Sequence, residues 1–165
     1  MNAGTLERMA ESDETLVSRT VRLQDKAAYG ELVRRYERKI LMLQQKLTGE
    51  RALAEDLAQE TFLRAWQKLD TFSGSGSFGG WLASLGYNVF RAHWRKHRRQ
   101  NDEVPLDDLE LAAPAADETG SADLDRLLGI LPRQDQVIMT LFYAYGLSNT
   151  EVGQVLEMPA GTVKA

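Results

Sequence analysis

The sequence has no cysteine and only two histidines, His93 and His97. Without a thiol there is no disulfide scaffold, no thiolate zinc site and no cysteine nucleophile. Two imidazoles fall short of a multi-histidine metal centre. No run of about 18 apolar residues occurs, and residues 1–25 mix charges rather than following the pattern of a signal peptide. A cytoplasmic protein is therefore expected. A glycine-rich phosphate loop, a nucleophile elbow and paired metal-ligand motifs are also missing. A hydrolase using Asp56 or Glu60 with His93 thus has no support, and the chain is expected to be no enzyme and to carry no cofactor, no metal and no small-molecule substrate.

At 165 residues, 43% hydrophobic and 27% charged, the chain has room for one ordinary domain or two small ones and enough apolar residues to fold. Its net charge of −4 is unevenly spread. Residues 1–25 carry −2. Residues 26–100 hold fourteen Lys/Arg against seven Asp/Glu, residues 101–123 hold eight acids and no base, and residues 124–165 carry −1. A basic block beside an acidic one suits a polyanion-facing domain followed by a solvated tether, although a merely solvated surface would give the same counts.

Helical periodicity dominates, and no segment sustains the alternation of a strand. Between Lys26 and Leu47 the residues Ala28, Leu32, Tyr36, Ile40, Leu43 and Leu47 mark one apolar face, and Thr48-Gly49 predicts its end. A second helix is expected from about Ala52 to Leu69, with Ala58, Phe62, Ala65, Trp66 and Leu69 inward and Asp56, Gln59 and Glu60 on another side. The stretch Ser73–Ser77 alternates serine and glycine and is a loop by composition. A third helix, about Phe78 to Arg99, begins apolar and ends in the basic run Arg91–Arg99. Residues 101–123, with their acids, alanines and two prolines, have the composition of a flexible linker.

The last segment has helix-turn-helix spacing. Ser148 can cap a helix with Glu151 closing a capping box, Gly153 permits a close crossing, and Val152, Val155, Leu156 and Val163 supply a shared core. Gly161-Thr162-Val163-Lys164 would open a second helix facing a major groove, although a plain helical hairpin shows similar spacing. Upstream, Arg91, Arg95, Lys96, Arg98 and Arg99 offer phosphate contacts with Trp94 interleaved. Cations also suit any helix C-terminus, so this run alone decides nothing.

Three blocks in order give the chain a family likeness: Ala54–Trp66, Phe72 through Asn88, and the set Leu131-Pro132, Gly146-Leu147-Ser148, Glu151-Val152 and Gly161–Lys164. The chain resembles an extracytoplasmic-function (ECF) sigma factor of the bacterial sigma-70 family. That resemblance implies an all-α protein of two small helical domains: sigma region 2 over residues 1–100, a flexible acidic linker over 101–123, and a region 4 helix-turn-helix over 124–165. It implies a dissociable subunit of bacterial RNA polymerase that recognises −10 and −35 promoter elements, melts DNA and answers to an anti-sigma factor.

Position by position, the resemblance implies that Asp56, Gln59 and Glu60 dock on the β′ coiled coil of the polymerase core, where carboxylates and an amide can pair with arginines. Surface pairing such as Glu60 with Arg64 is the plainer alternative. Phe72, Ser73, Ser75 and Asn88 would hold a flipped −10 base, and Arg91, Arg95 and Lys96 would follow the melted strand. Trp66 and Trp81 suit the core, and Phe72 suits either role. Leu127, Leu131 and Leu141 would meet the β flap, and Thr162 and Lys164 would contact the −35 element. The acidic linker would thread the polymerase as a polyanion mimic or serve only as a tether. Two departures stand out. Glu157 occupies a position where a turn glycine is usual, and the recognition helix is apparently incomplete at Ala165, which predicts weak −35 binding. The principal alternative is a stand-alone helix-turn-helix transcription regulator, which would bind duplex DNA without polymerase and leave the Asp56/Gln59/Glu60 face unexplained. A pure interaction protein, whose apolar faces only dock a partner, is a further alternative.

Overall fold

The computed structural model describes residues 11–101, 129–159 and 163. Among them are six α-helices and no strand: α1 (Asp13–Leu23), α2 (Lys26–Thr48), α3 (Arg51–Lys68), α4 (Phe78–Asn101), α5 (Arg133–Tyr143) and α6 (Asn149–Leu156). A 3₁₀ turn, Leu69–Thr71, follows α3. The expected linker, 101–123, lies outside the described residues except for Asn101, as do Leu127, Thr162 and Lys164.

Helix α1 has little apolar periodicity, since it is short and buries only Leu16, Val17 and Thr20. Local chemistry makes it. Ser12 caps its first turn by accepting from the Thr15 amide at 3.2 Å, and Asp13 and Glu14 lie at the positive end of the helix dipole. Asp25 then caps α2, accepting from the amides of Ala27 and Ala28 at 3.0 and 3.1 Å. Those amides, with the Arg19 guanidinium at 2.7 Å, hold the Asp25 carboxyl below its ordinary pKa. Asp13 ties the two helices together, taking a hydrogen bond from the Tyr36 hydroxyl at 2.5 Å and one from Arg35 at 2.9 Å.

Helix α2 buries Ala28, Leu32, Ile40, Leu43 and Leu47 along the expected face, with Tyr36 half-buried. It ends at Gly49, whose φ of 67° is the left-handed conformation that glycine adopts without steric penalty. Helix α3 is turned relative to the expected face. Ala54, Leu57, Ala58, Thr61 and Ala65 are buried, whereas Phe62 and Trp66 are only half-buried. Small residues on the contact line let α3 approach α2 and α4 closely, and the larger rings flank the line. Trp66 meets Tyr29 edge-on at 5.0 Å. Two polar side chains of this interior are bonded, Thr61 donating to the Leu57 carbonyl at 2.7 Å and Gln44 to the Gly86 carbonyl at 2.8 Å, while Oε1 of Gln44 has no partner among the described residues.

Two apolar clusters form the interior. One, within α1–α4, includes Leu16, Leu32, Ile40, Ala65, Phe78 and Leu82. The other joins Leu43, Leu47, Leu57, Val89 and Phe90 to Val137, Leu141, Leu147, Val152, Val155, Leu156 and Val163. The two helical units therefore share a core: α5 packs on α2, and α6 on α4. Tyr145 touches both clusters.

Candidate nucleic-acid and polymerase interface

Helix α3 carries the first group of expected contact residues on its outer side. Asp56 and Gln59 are exposed, and Glu60 lies beside them, half-buried. Glu60 is engaged by Arg64 at 2.6 Å, the i,i+4 pairing foreseen as its plainer role. Leu63, 59% exposed, adds an apolar element to the same helix. A face of this kind offers two acceptor groups to incoming arginines and an oily edge that gains from being covered.

The serine–glycine loop is anchored from beneath. Phe72 is half-buried, meeting Phe78 edge-on at 5.6 Å and Trp81 at 5.7 Å. It therefore belongs to an aromatic cluster and is not presented as an open stacking platform. Ser73 and Ser75 are exposed, and their hydroxyls are 2.8 Å apart. Gly74 and Gly76, with φ of 79° and 87°, form the bend, and nothing lies within 4 Å of where a side chain on either would point. Asn88 sits ten residues along α4 from Phe78, about 15 Å at the helical rise, so the loop and Asn88 are not one compact pocket by themselves.

Along α4, Asn88, Arg91 and Arg95 follow one another at three and four residues and share a face. Asn88, Arg95 and Lys96 are exposed, and Trp94 is 39% exposed, stacked on Phe90 at 6.3 Å. This is a cationic, water-facing surface with an available ring, suited to the phosphates and bases of a single strand. Arg91 differs from its neighbours: it lies over the Tyr87 ring at 5.7 Å and is ion-paired with Glu157. That contact was not foreseen. The available signal was Glu157 itself, standing where glycine is expected.

In the second unit, the capping box forms as expected. Ser148 accepts from the Glu151 amide at 3.2 Å, and Glu151 accepts from the Ser148 amide at 2.8 Å. Val152, Val155, Leu156 and Val163 are buried. Leu141, expected to face a partner, is fully buried in the core shared by the two units, whereas Ile130 and Tyr143 are about 80% exposed. Arg133 is also buried, with its guanidinium at the end of α2, and burial lowers its pKa.

Two helical units, one bearing a cationic, water-facing helix and the other entered through a capped helix, make an all-α protein with a surface suited to meeting nucleic acid. The profile for Sigma-70 region 2 matches residues 32–100, and that for Sigma-70, region 4 matches residues 121–165. The chain is 30% identical to the RNA polymerase sigma-H factor of Pseudomonas aeruginosa, over 94% of this chain and 88% of the relative. It is 32% identical to the ECF RNA polymerase sigma factor SigE of Mycolicibacterium smegmatis, over 84% of this chain and 56% of that protein. Among solved structures, CnrH in complex with the cytosolic domain of CnrY aligns with a TM-score of 0.62 at 25% identity, covering 93% of this chain and 88% of that one. The chain belongs to the sigma-70 family and is an RNA polymerase sigma factor of the ECF type.

Proposed function

We propose that the chain directs bacterial core RNA polymerase to −10/−35 promoters, with a defined division of labour among its surfaces. Asp56 and Gln59, with Glu60 once it exchanges Arg64 for an interface arginine, dock α3 on the β′ coiled coil. Ser73 and Ser75, on the loop supported by Phe72, act with Asn88 on the non-template bases of the −10 element. Arg91, Arg95 and Lys96 follow the strand's phosphates, and Thr162 and Lys164 contact the −35 element. Ile130 and Tyr143 are apolar surface for the β flap. The polymerase performs the chemistry, and the factor supplies position and strand capture.

The observation that carries this division is the exposed Asn88–Arg95–Lys96 surface on the same helical unit as the outward Asp56 and Gln59. Net acidity elsewhere keeps the chain from clinging to arbitrary duplex, because non-specific binding depends on the positive charge presented to phosphates. CnrH is seen bound to the cytosolic domain of CnrY, and the sigma factor RpoE of Bartonella quintana to the anti-sigma factor NepR; on those likenesses an anti-sigma partner is proposed for this chain.

The test is transcription in vitro with bacterial core polymerase. Substituting Asp56 and Gln59 together by alanine should abolish association with the core and leave the helical circular dichroism unchanged. Asn88→Ala with Arg95→Ala should spare core association and reduce permanganate reactivity of the −10 thymines. Sequence-specific duplex binding without polymerase, undisturbed by the α3 changes, would favour the stand-alone regulator instead.

A further inference from the structure

Glu157 ends α6 in the left-handed conformation, with φ of 55°. For a residue with a Cβ this backbone is unfavourable, and glycine would adopt it at no steric penalty. Gln24 closes α1 in the same conformation, with φ of 52°, and its side chain bonds locally to the Val21 carbonyl; what sets Glu157 apart is how far its side chain reaches. Its carboxylate reaches Arg91, 66 residues earlier in the chain and on the other helical unit. Arg91 is one of the cations of the strand-facing helix, so the guanidinium proposed to take a DNA phosphate is here occupied by a carboxylate.

The surroundings fit a contact that closes and reopens. The units meet through an apolar seam, in which Val89 and Phe90 of α4 pack with Val152, Val155 and Leu156 of α6 beside the ion pair. The seam is not fully satisfied, since the buried Tyr145 hydroxyl has no hydrogen-bond partner among the described residues. Parting the seam would return that hydroxyl to water. The pair itself is partly solvated, with Arg91 at 23% and Glu157 at 60% side-chain exposure, so an incoming polyanion can displace it.

We propose that Glu157 is an internal substitute for a DNA phosphate: it latches the second helical unit over Arg91, so that the unbound factor shields part of its own strand-capturing surface. The strand-binding half of this proposal rests on the promoter function given above; the latch itself does not. Single-stranded −10 DNA and Glu157 then compete for one guanidinium.

The native chain lacks cysteine, so cysteines placed at the exposed Glu37 and Gln154 give two unique spin-label sites. Pulsed electron–electron distances in the full chain, without DNA or polymerase, should lengthen or broaden in Glu157→Gln. They should return to the parental distribution when Arg91→Glu is combined with Glu157→Arg, a swap that restores the pair and controls for misfolding. Affinity for a fluorescent single-stranded −10 oligonucleotide at low salt should rise about two- to fivefold in Glu157→Gln, the scale of one partly exposed ion pair. Unchanged distances in Glu157→Gln overturn the latch, whatever the DNA result. Altered distances with no gain in oligonucleotide affinity keep the latch and overturn the competition. If neither parent nor variant binds the oligonucleotide even with polymerase present, it is the promoter function that fails.

Discussion

A Cβ placed on Gly49 would stand 1.4 Å from Nη2 of Arg133, so the end of α2 and the start of α5 share one small space. Gly49 closes α2 with its amide on the Gln45 carbonyl at 2.8 Å, and the guanidinium lies at the helix end, where the dipole is negative. Gly49→Ala adds both a strained φ and a collision. It should lower stability by about 2 kcal/mol, measured by urea unfolding. In an Arg133→Ala background the loss should be smaller, because only the backbone strain remains.

Alkaline pH should unfold the chain through its phenols. Burial raises the pKa of Tyr29 to about 12, and it raises those of Tyr36, Tyr87 and Tyr145 as well. In the unfolded chain these groups ionise near pH ~10, so the unfolded state releases protons first as pH rises. Stability should be intact below pH ~10 and fall as pH climbs toward the folded values. Urea midpoints should track this, and tyrosinate absorbance at 295 nm should appear together with loss of structure.

Ser148→Ala removes one half of the capping box at the start of α6. The expected loss is about 1 kcal/mol, seen as faster hydrogen exchange at the Glu151 and Val152 amides. Ser148→Asp should recover most of it, since a carboxylate caps the same amide and suits the helix dipole.

Phe72 acts as a support for the serine loop, because its ring is engaged by Phe78 and Trp81. Phe72→Leu should reduce stability by about 1 kcal/mol, the scale of a lost aromatic pairing, and leave promoter opening within about twofold. A collapse of opening with stability retained would instead make the ring a direct contact with the strand.

Much of this arrangement was legible in the chain. The apolar face of α2, the loop at Ser73–Ser77, the start of α4 and the Ser148–Glu151 box all follow from rules that act within a few residues. The outward placement of Asp56 and Gln59 followed as well. Less legible were features set by distant partners. The burial of Leu57 and Thr61 in place of Phe62 and Trp66 depends on how closely α3 packs, which hydrophobic period alone does not encode. Helix α1 rests on capping by Ser12 and on Asp13 meeting Tyr36 and Arg35, more than on an apolar stripe. The Arg91–Glu157 and Arg133–Gly49 contacts, and the burial of Leu141, exist only because the two helical units share a core. Contacts 66 and 84 residues apart leave no local pattern, although the unexpected glutamate at 157 was visible.

The seam between the units is made largely of aliphatic carbon, and attraction of that kind loses strength on cooling. The hold of one half on the other should therefore slacken as the temperature falls.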